Sequence, residues 1–180
     1  MKKKSNGIAK FGTLTWENLE KKGFIGPSRY PMCGMEEETM NHLLNTCDWV
    51  DNIWKWVETI LQRMNQVRNS IQETIENWSG NFSNTQLVNT ICKLIPGFKA
   101  WKIWKERNQR VSLNEIRGIN HIKDTILQNI KHMVLAKGRM KQDKNIPSSN
   151  LQILKAFDID MGTFLSSSNR RGELNTIVNS

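Results

Sequence analysis

The sequence predicts a mainly α protein: a small helical domain with an irregular loop and a flexible C-terminal tail. Apolar side chains recur at the three- and four-residue spacing of amphipathic helices. The 180 residues suit one domain, and long runs of helix-forming residues with only four prolines disfavour an all-β sandwich. The last twenty residues are rich in Ser and Asn, which is typical of a mobile tail.

The first two predicted helices lie in the N-terminal third of the chain. Residues 14–23 form a short helix, with Thr15 as N-cap and Gly23 at the left-handed position that ends it. Residues 48–66 give the clearest amphipathic pattern. We interpret the three tryptophans of this segment as core residues rather than as a platform for nucleobases. Its apolar side is formed by Trp49, Val50, Ile53, Trp54, Trp56, Val57, Ile60, Leu61 and Met64.

The middle of the chain predicts two shorter helices. Residues 70–80 begin with Ser70 followed by Glu73, the pattern of a capping box, and close at a glycine. A further helix starts near Leu87, and Pro96-Gly97 is expected to break or kink it, because proline lacks the amide hydrogen that an interior helical position donates.

Three helices complete the prediction. One resumes over 98–110, and Ser112 with Glu115 forms a second capping box that opens the longest helix, about 113–137. A short helix is expected over 149–158. Four units follow from this order: a basic leader at 1–13, a region at 14–66, a helical region at 67–137 and a polar, largely flexible tail at 138–180.

The charge of the chain is unevenly distributed. The 26 Lys and Arg residues exceed the 17 Asp and Glu residues, for a net charge of +9. Residues 1–30 carry net +5, residues 31–60 carry net −5 and residues 101–150 carry net +7. Such an excess favours an acidic partner, of which nucleic acid is the commonest. The alternative is a basic protein whose charge has no specific partner.

Composition also excludes several classes of protein. No apolar run approaches the roughly 18 residues that a membrane-spanning helix needs, and the basic start of the chain lacks the apolar stretch of a signal peptide. We therefore expect no membrane association and an intracellular location, in the nucleus or cytoplasm. Three cysteines are too few, and odd in number, for a disulfide framework.

One cluster of residues carries recognisable chemistry. Cys33, His42 and Cys47 lie within fifteen residues, and their thiol and imidazole groups are the ligands that tetrahedral zinc prefers. We expect Gly34 to let backbone amides turn toward the Cys33 sulfur. Structural zinc requires four ligands, and the position expected for the fourth, a Cys-x-x-Cys partner of Cys33, is occupied by Tyr30.

These motifs give the chain a family resemblance. The segment LTWENLEKKGFIGPSRYPMCGMEEETMNHLLNTC, the Trp-rich helix after it and the later AWKIWKERNQR resemble the zinc-binding region of plant LINE-type (non-LTR) retrotransposon reverse transcriptases. The resemblance is specific over residues 14–56 and weaker over 98–110. It implies that Cys33, His42 and Cys47 are zinc ligands within a zinc-knuckle-like loop.

Two departures from the family pattern qualify this expectation. Tyr30 replaces the first cysteine of the family motif, and a neutral phenol is a poor zinc ligand at pH 7. The sequence also starts short of the segment that leads into this region in the family. Both departures suggest a truncated copy with an incomplete zinc site.

Three alternatives remain for the incomplete site. A remote ligand from Cys92, His121 or His132 would complete it, although we interpret Cys92 as a core residue and both histidines as part of a polar helix face. Water would occupy an open fourth position, which is the arrangement of catalytic zinc. The third alternative is a metal-free loop held by Trp and Leu packing. Glu36–Glu38 are expected to form a solvated helix start.

The sequence does not predict an enzyme. The paired aspartates of a polymerase, a phosphate-binding glycine loop, GxSxG and HExxH are all missing from it. Asp158 and Asp160 alternate like the carboxylates of a ribonuclease H strand, but only Glu173 follows them. That hypothesis therefore fails.

The most favoured function is a non-catalytic, nucleic-acid-associated module. We expect salt-sensitive contacts with the phosphates of RNA or single-stranded nucleic acid. A helical protein-interaction module, with a helical or polymerase-like partner, is the alternative, motivated by the apolar faces of 48–66 and 113–137. A non-functional retroelement remnant is the third hypothesis. The predicted phosphate contacts are Lys2, Lys3, Lys4, Lys10, Lys102, Lys105, Arg107 and Arg110.

Overall fold

The computed structural model describes residues 15–26, 28–63, 68–80, 82–137 and 146–160. The predicted basic leader at 1–13, with Lys2, Lys3, Lys4 and Lys10, lies outside the described residues. Most of the predicted tail at 138–180 lies outside them as well.

The described chain is mainly helical, which confirms the predicted fold class. Arg29 and Glu37 form an isolated antiparallel bridge in the loop that precedes a single π-helical turn, His42–Thr46. None of the described helices combines the length and the apolar character needed to cross a membrane. The helices are α1 (Trp16–Glu20), α2 (Asp48–Ile60), α3 (Ile71–Trp78), α4 (Gln86–Leu113), α5 (Ile119–Lys137) and α6 (Ser148–Ala156).

The start of α1 differs from its prediction. Gly23 follows the helix at φ +82°, as expected. The hydroxyl of Thr15 is buried without a hydrogen-bond partner among the described residues, so it is not the predicted cap. The amide of Trp16 instead donates to a carboxylate oxygen of Glu38 at 2.9 Å. A side chain twenty-two residues away therefore stabilises the N-terminus of α1.

Helices α2 and α3 follow their predicted patterns. Trp54 is buried in the core while Trp49 and Trp56 are half-buried against it, so all three tryptophans pack as expected. Helix α2 ends at Ile60, earlier than predicted. At α3 the hydroxyl of Ser70 accepts the Glu73 amide at 3.1 Å, which confirms the cap.

Helix α4 corrects the prediction of a break at Pro96. It runs without interruption over 28 residues, with Pro96 buried inside it. A proline in a helix interior costs about 3 kcal/mol. Ile91, Ile95 and Ile103 lie on both sides of Pro96 and are fully buried. Because burying each such side chain contributes about 1.5–3 kcal/mol, packing outweighs the local cost of the proline.

The connection between α4 and α5 corrects a second prediction. Ser112 lies in the last turn of α4, so Ser112 and Glu115 do not cap a helix start. Asn114 ends α4 in the left-handed conformation, at φ +53°, which Asn tolerates better than most residues. The longest described helix is therefore α4, and α5 begins only at Ile119.

Helix α5 is closely packed on α4 and contributes a regular apolar row to the core. The row consists of Ile122, Ile126, Ile130 and Val134. The short helix α6 forms close to its predicted position, with Ile153 and Leu154 buried. The side-chain amide of Asn150 in α6 donates to the hydroxyls of Ser83 and Thr85, each at 2.6 Å, which ties α6 to the start of α4.

A lysine lies at the centre of this core. Lys99 of α4 is fully buried, and its ammonium group donates to the Leu44 carbonyl at 2.9 Å. The same group lies 3.5 Å from the centre of the Trp54 ring, a cation–π distance. Burial lowers the pKa of Lys99 well below its ordinary value, and the nearby positive charge of Arg68 adds to this effect.

A second buried contact joins α4 to the loop. Arg107 donates through Nε and Nη2 to the two carboxylate oxygens of Glu38, at 2.8 and 2.7 Å. Glu38 is almost fully buried, so the ion pair lies largely out of water. The expectation that Glu38 belongs to a solvated helix start is therefore wrong. The one carboxylate holds α4 through Arg107 and α1 through the Trp16 amide.

We predict that Arg107→Ala destabilises the protein by about 3–5 kcal/mol, because it leaves a buried carboxylate without its partner. The matched control is Lys105→Ala, an exposed cation two residues away, which should change stability by no more than about 0.5 kcal/mol. Urea unfolding followed by far-UV circular dichroism measures both changes. Equal stability of the two variants would contradict the structural role of the ion pair.

Candidate metal centre

The first half of the candidate site is a tight loop around Cys33. The amide of Tyr30 donates to the Glu36 carbonyl and the amide of Gly34 donates to the Tyr30 carbonyl, both at 2.8 Å. Gly34 has φ +66°, a conformation that favours glycine. The amide of Gly34 itself bonds the Tyr30 carbonyl and is not directed at the Cys33 sulfur. The turn places Cys33 beside the segment that carries the other two donors.

The second half is the π-helical turn His42–Thr46. The amide of Cys47 donates to the carbonyl of His42, five residues earlier, at 3.2 Å. An α-helix would pair residues four apart, so the wider turn suits the five-residue spacing of this His and Cys. The Thr39 hydroxyl accepts the His42 amide at 3.0 Å and fixes the start of the turn.

The three predicted metal ligands lie together. Sγ of Cys33 is 3.3 Å from Nε2 of His42, and the donor atoms of Cys33, His42 and Cys47 all lie within 4.8 Å of one another. Tetrahedral zinc places a sulfur and a nitrogen about 3.5 Å apart and two sulfurs about 3.8 Å apart. The donor set and its spacing therefore fit a zinc ion.

Glu36 orients the imidazole. Its Oε2 lies 3.0 Å from Nδ1 of His42, without the alignment of a hydrogen bond, while Nε2 faces Cys33. Metal-binding histidines commonly turn their second nitrogen to a carboxylate, which sets the tautomer and raises the basicity of the ligand. This role was not predicted from the sequence, because Glu36 was expected to form part of a solvated helix start.

Burial sets the protonation of Cys47. It raises the pKa of this thiol to about 11, while the backbone amides of Val50 and Trp49, at the start of α2, lower it. Without a metal, the Cys47 thiol is therefore protonated at neutral pH. Metal binding must displace that proton, so affinity for zinc should rise with pH.

The chain matches no protein-family model, no curated protein and no solved structure. The resemblance to a retrotransposon zinc-binding region accordingly stays a prediction from the sequence motifs.

Tyr30 contributes packing at the position where a fourth ligand is expected. The residue is fully buried, its hydroxyl donates to the Leu43 carbonyl at 3.3 Å, and its ring lies edge-on to His42 with centroids 5.4 Å apart. Burial raises the pKa of this phenol further above its ordinary value. Tyr30 is therefore neutral, and its hydroxyl is committed to the Leu43 carbonyl.

The remote candidates for a fourth ligand do not join the cluster. Cys92 is buried in α4, in agreement with its interpretation as a core residue. His121 and His132 are exposed on α5. Within the described ranges, only Cys33, His42 and Cys47 come together as potential metal ligands.

The predicted phosphate contacts on α4 divide into two classes. Lys105 is exposed and Lys102 is half-buried. Arg107 and Arg110 bind carboxylates inside the protein: Arg107 holds Glu38, and Nε of Arg110 donates to Glu106 at 2.9 Å. Both arginines are mostly buried, so the structure removes them from the predicted phosphate contacts.

We predict that the protein binds one zinc ion and that Glu36→Gln weakens this binding by about 10- to 100-fold, the usual effect of losing the carboxylate partner of a metal-bound histidine. Glu37→Gln is the matched control, because Glu37 is an exposed neighbour. Competition with a chromophoric chelator under reducing conditions measures both affinities. Equal affinities of the two variants would contradict the role of Glu36.

We predict opposite effects of Tyr30→Cys with and without zinc. Without zinc, the lost ring should cost about 3–5 kcal/mol of stability, as for other large aromatic side chains in cores. With zinc, a fourth sulfur should raise metal affinity and recover stability. Tyr30→Phe keeps the ring and should cost about 1 kcal/mol, with zinc affinity unchanged.

Thermal unfolding at fixed zinc and chelator concentrations measures the effect of each Tyr30 variant. If Tyr30→Cys gains no zinc affinity, residue 30 is not the position of the missing ligand.

Proposed function

We propose that this chain is a non-catalytic module that binds RNA or single-stranded nucleic acid and is organised by zinc at Cys33, His42 and Cys47. One observation carries the nucleic-acid part of the proposal: Lys102, Lys105 and Arg117 lie close together at the surface. Among the described residues, neither lysine has a carboxylate partner. Arg117 makes only a long contact of 3.8 Å with Glu115.

Electrostatics supports this surface as a binding site for phosphate. The pKa of Lys102 is lowered, first by partial burial and then by the positive charges of Lys105 and Arg117. The three cations therefore repel one another in the free protein. A phosphate backbone would relieve that repulsion and release counterions, which gives affinity without reading the base sequence.

The contacts between distant segments support the proposed origin of the module. The two stretches that resemble the reverse-transcriptase region, 14–56 and 98–110, meet at the Glu38–Arg107 ion pair. Arg110 adds a second link, because it donates to the Pro31 carbonyl at 3.5 Å and lies over the Trp49 ring. A shared structural role gives a physical reason for both motifs to occur in one sequence.

The surroundings of the metal ligands support a structural rather than a hydrolytic role. A hydrolytic zinc site needs a base beside the open position. The carboxylate of Glu36 faces Nδ1 of His42, on the side of the ring away from Cys33. The Glu38 carboxylate is committed to Arg107. Glu36 and Glu38 thus make contacts within the loop and core rather than acting as bases at an open position.

A protein-interaction module is the second candidate. The apolar faces of α2 and α5 that suggested it are packed within this chain. A different observation now favours it: Val111, Leu113 and Ile116 are exposed around the connection between α4 and α5. Light scattering after size-exclusion chromatography tests it, since a strictly monomeric protein argues against self-association through this patch.

We predict that the zinc-loaded protein binds labelled RNA at low salt and that Lys102→Ala/Lys105→Ala weakens this binding. The logarithm of affinity should fall with that of salt concentration, and losing two phosphate contacts should reduce the slope by about 1.4, at 0.7 per contact on a single strand. Fluorescence anisotropy at several salt concentrations gives both slopes.

Lys55→Ala is the control for this experiment. Lys55 is an exposed lysine on α2 that pairs with Asp51 at 2.7 Å. It should leave both the affinity and the slope unchanged. A wild-type protein that binds no RNA at low salt would overturn the proposed function. A protein that also holds no zinc would favour the hypothesis of a non-functional remnant.

A further inference from the structure

Two tryptophans on α4 form a stacked pair at the surface, in which Trp101 is exposed and Trp104 is half-buried. The rings of Trp101 and Trp104 have centroids 5.2 Å apart and an interplanar angle of 28°. Trp101 is 47% exposed, whereas Trp54 and Trp78 are almost completely buried. Other tryptophans of this chain are thus buried in the core, whereas Trp101 is presented to solvent with Trp104 beside it.

The pair lies on the outward side of α4. At 100° per residue, Trp101, Trp104 and Lys105 share one side of the helix, with Lys102 at its edge. Ile95, Lys99 and Ile103 occupy the opposite side and are fully buried. Packing on the inward side therefore fixes the direction in which both indole rings project.

Stacking prepares the pair for a flat ligand. Trp104 supports Trp101 on one side, which limits the rotation of the exposed indole and lowers the entropy lost when a ligand binds. The cations nearest along the helix are Lys102 and Lys105, and Arg117 lies close to Lys102. An aromatic platform beside cations without carboxylate partners is typical of sites for single-stranded nucleic acid.

We propose that the Trp101–Trp104 pair stacks against an unpaired nucleobase of a single-stranded nucleic acid, while Lys102, Lys105 and Arg117 contact the adjoining phosphates. This inference rests on the proposed function and names its ligand class and its base-binding residue. Stacking requires an exposed base face, so the platform favours a single strand over a duplex, whose base faces are covered. Every base has such a face, so little sequence preference is expected.

Charge complementarity favours nucleic acid over a protein partner. A purely apolar partner would leave the ammonium groups of Lys102 and Lys105 without counter-charges beside the buried indoles. A polyanion with planar rings satisfies both the cations and the platform. The exposed apolar residues Leu113 and Ile116 lie further along the chain, in the connection to α5, and provide a control surface.

The test compares three ligands of the zinc-loaded full chain by fluorescence anisotropy: a 12-nucleotide oligouridine, an abasic ribose-phosphate strand of equal length, and a 12-base-pair RNA duplex. Trp101→Ala should weaken binding of the oligouridine by at least about fivefold, the lower end for loss of one base–aromatic stack. It should leave the affinity for the abasic strand and the duplex unchanged. Trp101→Phe should keep much of the oligouridine affinity.

Two further variants separate stacking from charge and from general surface effects. Lys105→Ala should weaken binding of the oligouridine and the abasic strand alike. Ile116→Ala should change neither, because Ile116 is exposed and carries no charge. Circular dichroism melting of each variant confirms that the helices are retained, and Trp101→Phe provides the test if Trp101→Ala does not fold.

Three results would overturn the inference. Equal losses on the oligouridine and the abasic strand after Trp101→Ala would show that the indole supports the lysines without stacking on a base. If Trp101→Ala leaves the oligouridine affinity unchanged, the proposed function stands but the tryptophan pair does not bind the base. If the protein self-associates and Trp101→Ala abolishes this without affecting RNA binding, the tryptophan pair belongs to a protein interface.

Discussion

The buried ion pair between Glu38 and Arg107 is the constraint on which the arrangement of the protein depends. Two hydrogen bonds from one guanidinium fix the loop against α4, and the same carboxylate holds the first amide of α1. A charge pair removed from water is stable only when nearly all of its hydrogen-bonding capacity is used. Here the three contacts come from segments that are distant in sequence, so the pair joins α1, the loop and α4 in one arrangement.

Helix α4 influences the shape of the candidate metal site although it supplies none of the three candidate ligands. Besides Arg107, it directs Lys99 to the Leu44 carbonyl and Arg110 to the Pro31 carbonyl, one on each half of the site. Lys99 and Arg110 lie about three turns apart on one helix, so the spacing of the two halves depends on α4 remaining helical between them. The continuous stretch of α4 that follows Pro96 thus helps to fix the relative placement of Cys33 and His42.

The helical class, the packing of α2 and the grouping of Cys33, His42 and Cys47 as candidate metal ligands could be predicted from the sequence, because periodicity and ligand chemistry are local properties. Prediction failed where a distant contact decides the outcome. Burial of the neighbouring isoleucines outweighs the tendency of Pro96 to break the helix. Glu106 accepts the Arg117 amide at 2.9 Å, and this contact holds the connecting segment against α4 before α5 begins. Arg107 was assigned to phosphate because its carboxylate partner lies 69 residues away. The exposure of Trp101 was not predicted either, because a single sequence does not show which side of a helix is covered.

The π-helical turn also limits which sequence changes the loop can accept. Its hydrogen bond spans five residues between His42 and Cys47. Removing one residue would convert the turn to α-helical pairing and rotate one ligand by about 100° relative to the other. The turn should therefore tolerate substitution of Thr46, its one exposed side chain, but not a change in length. In a collection of related sequences, insertions and deletions should therefore be excluded between His42 and Cys47.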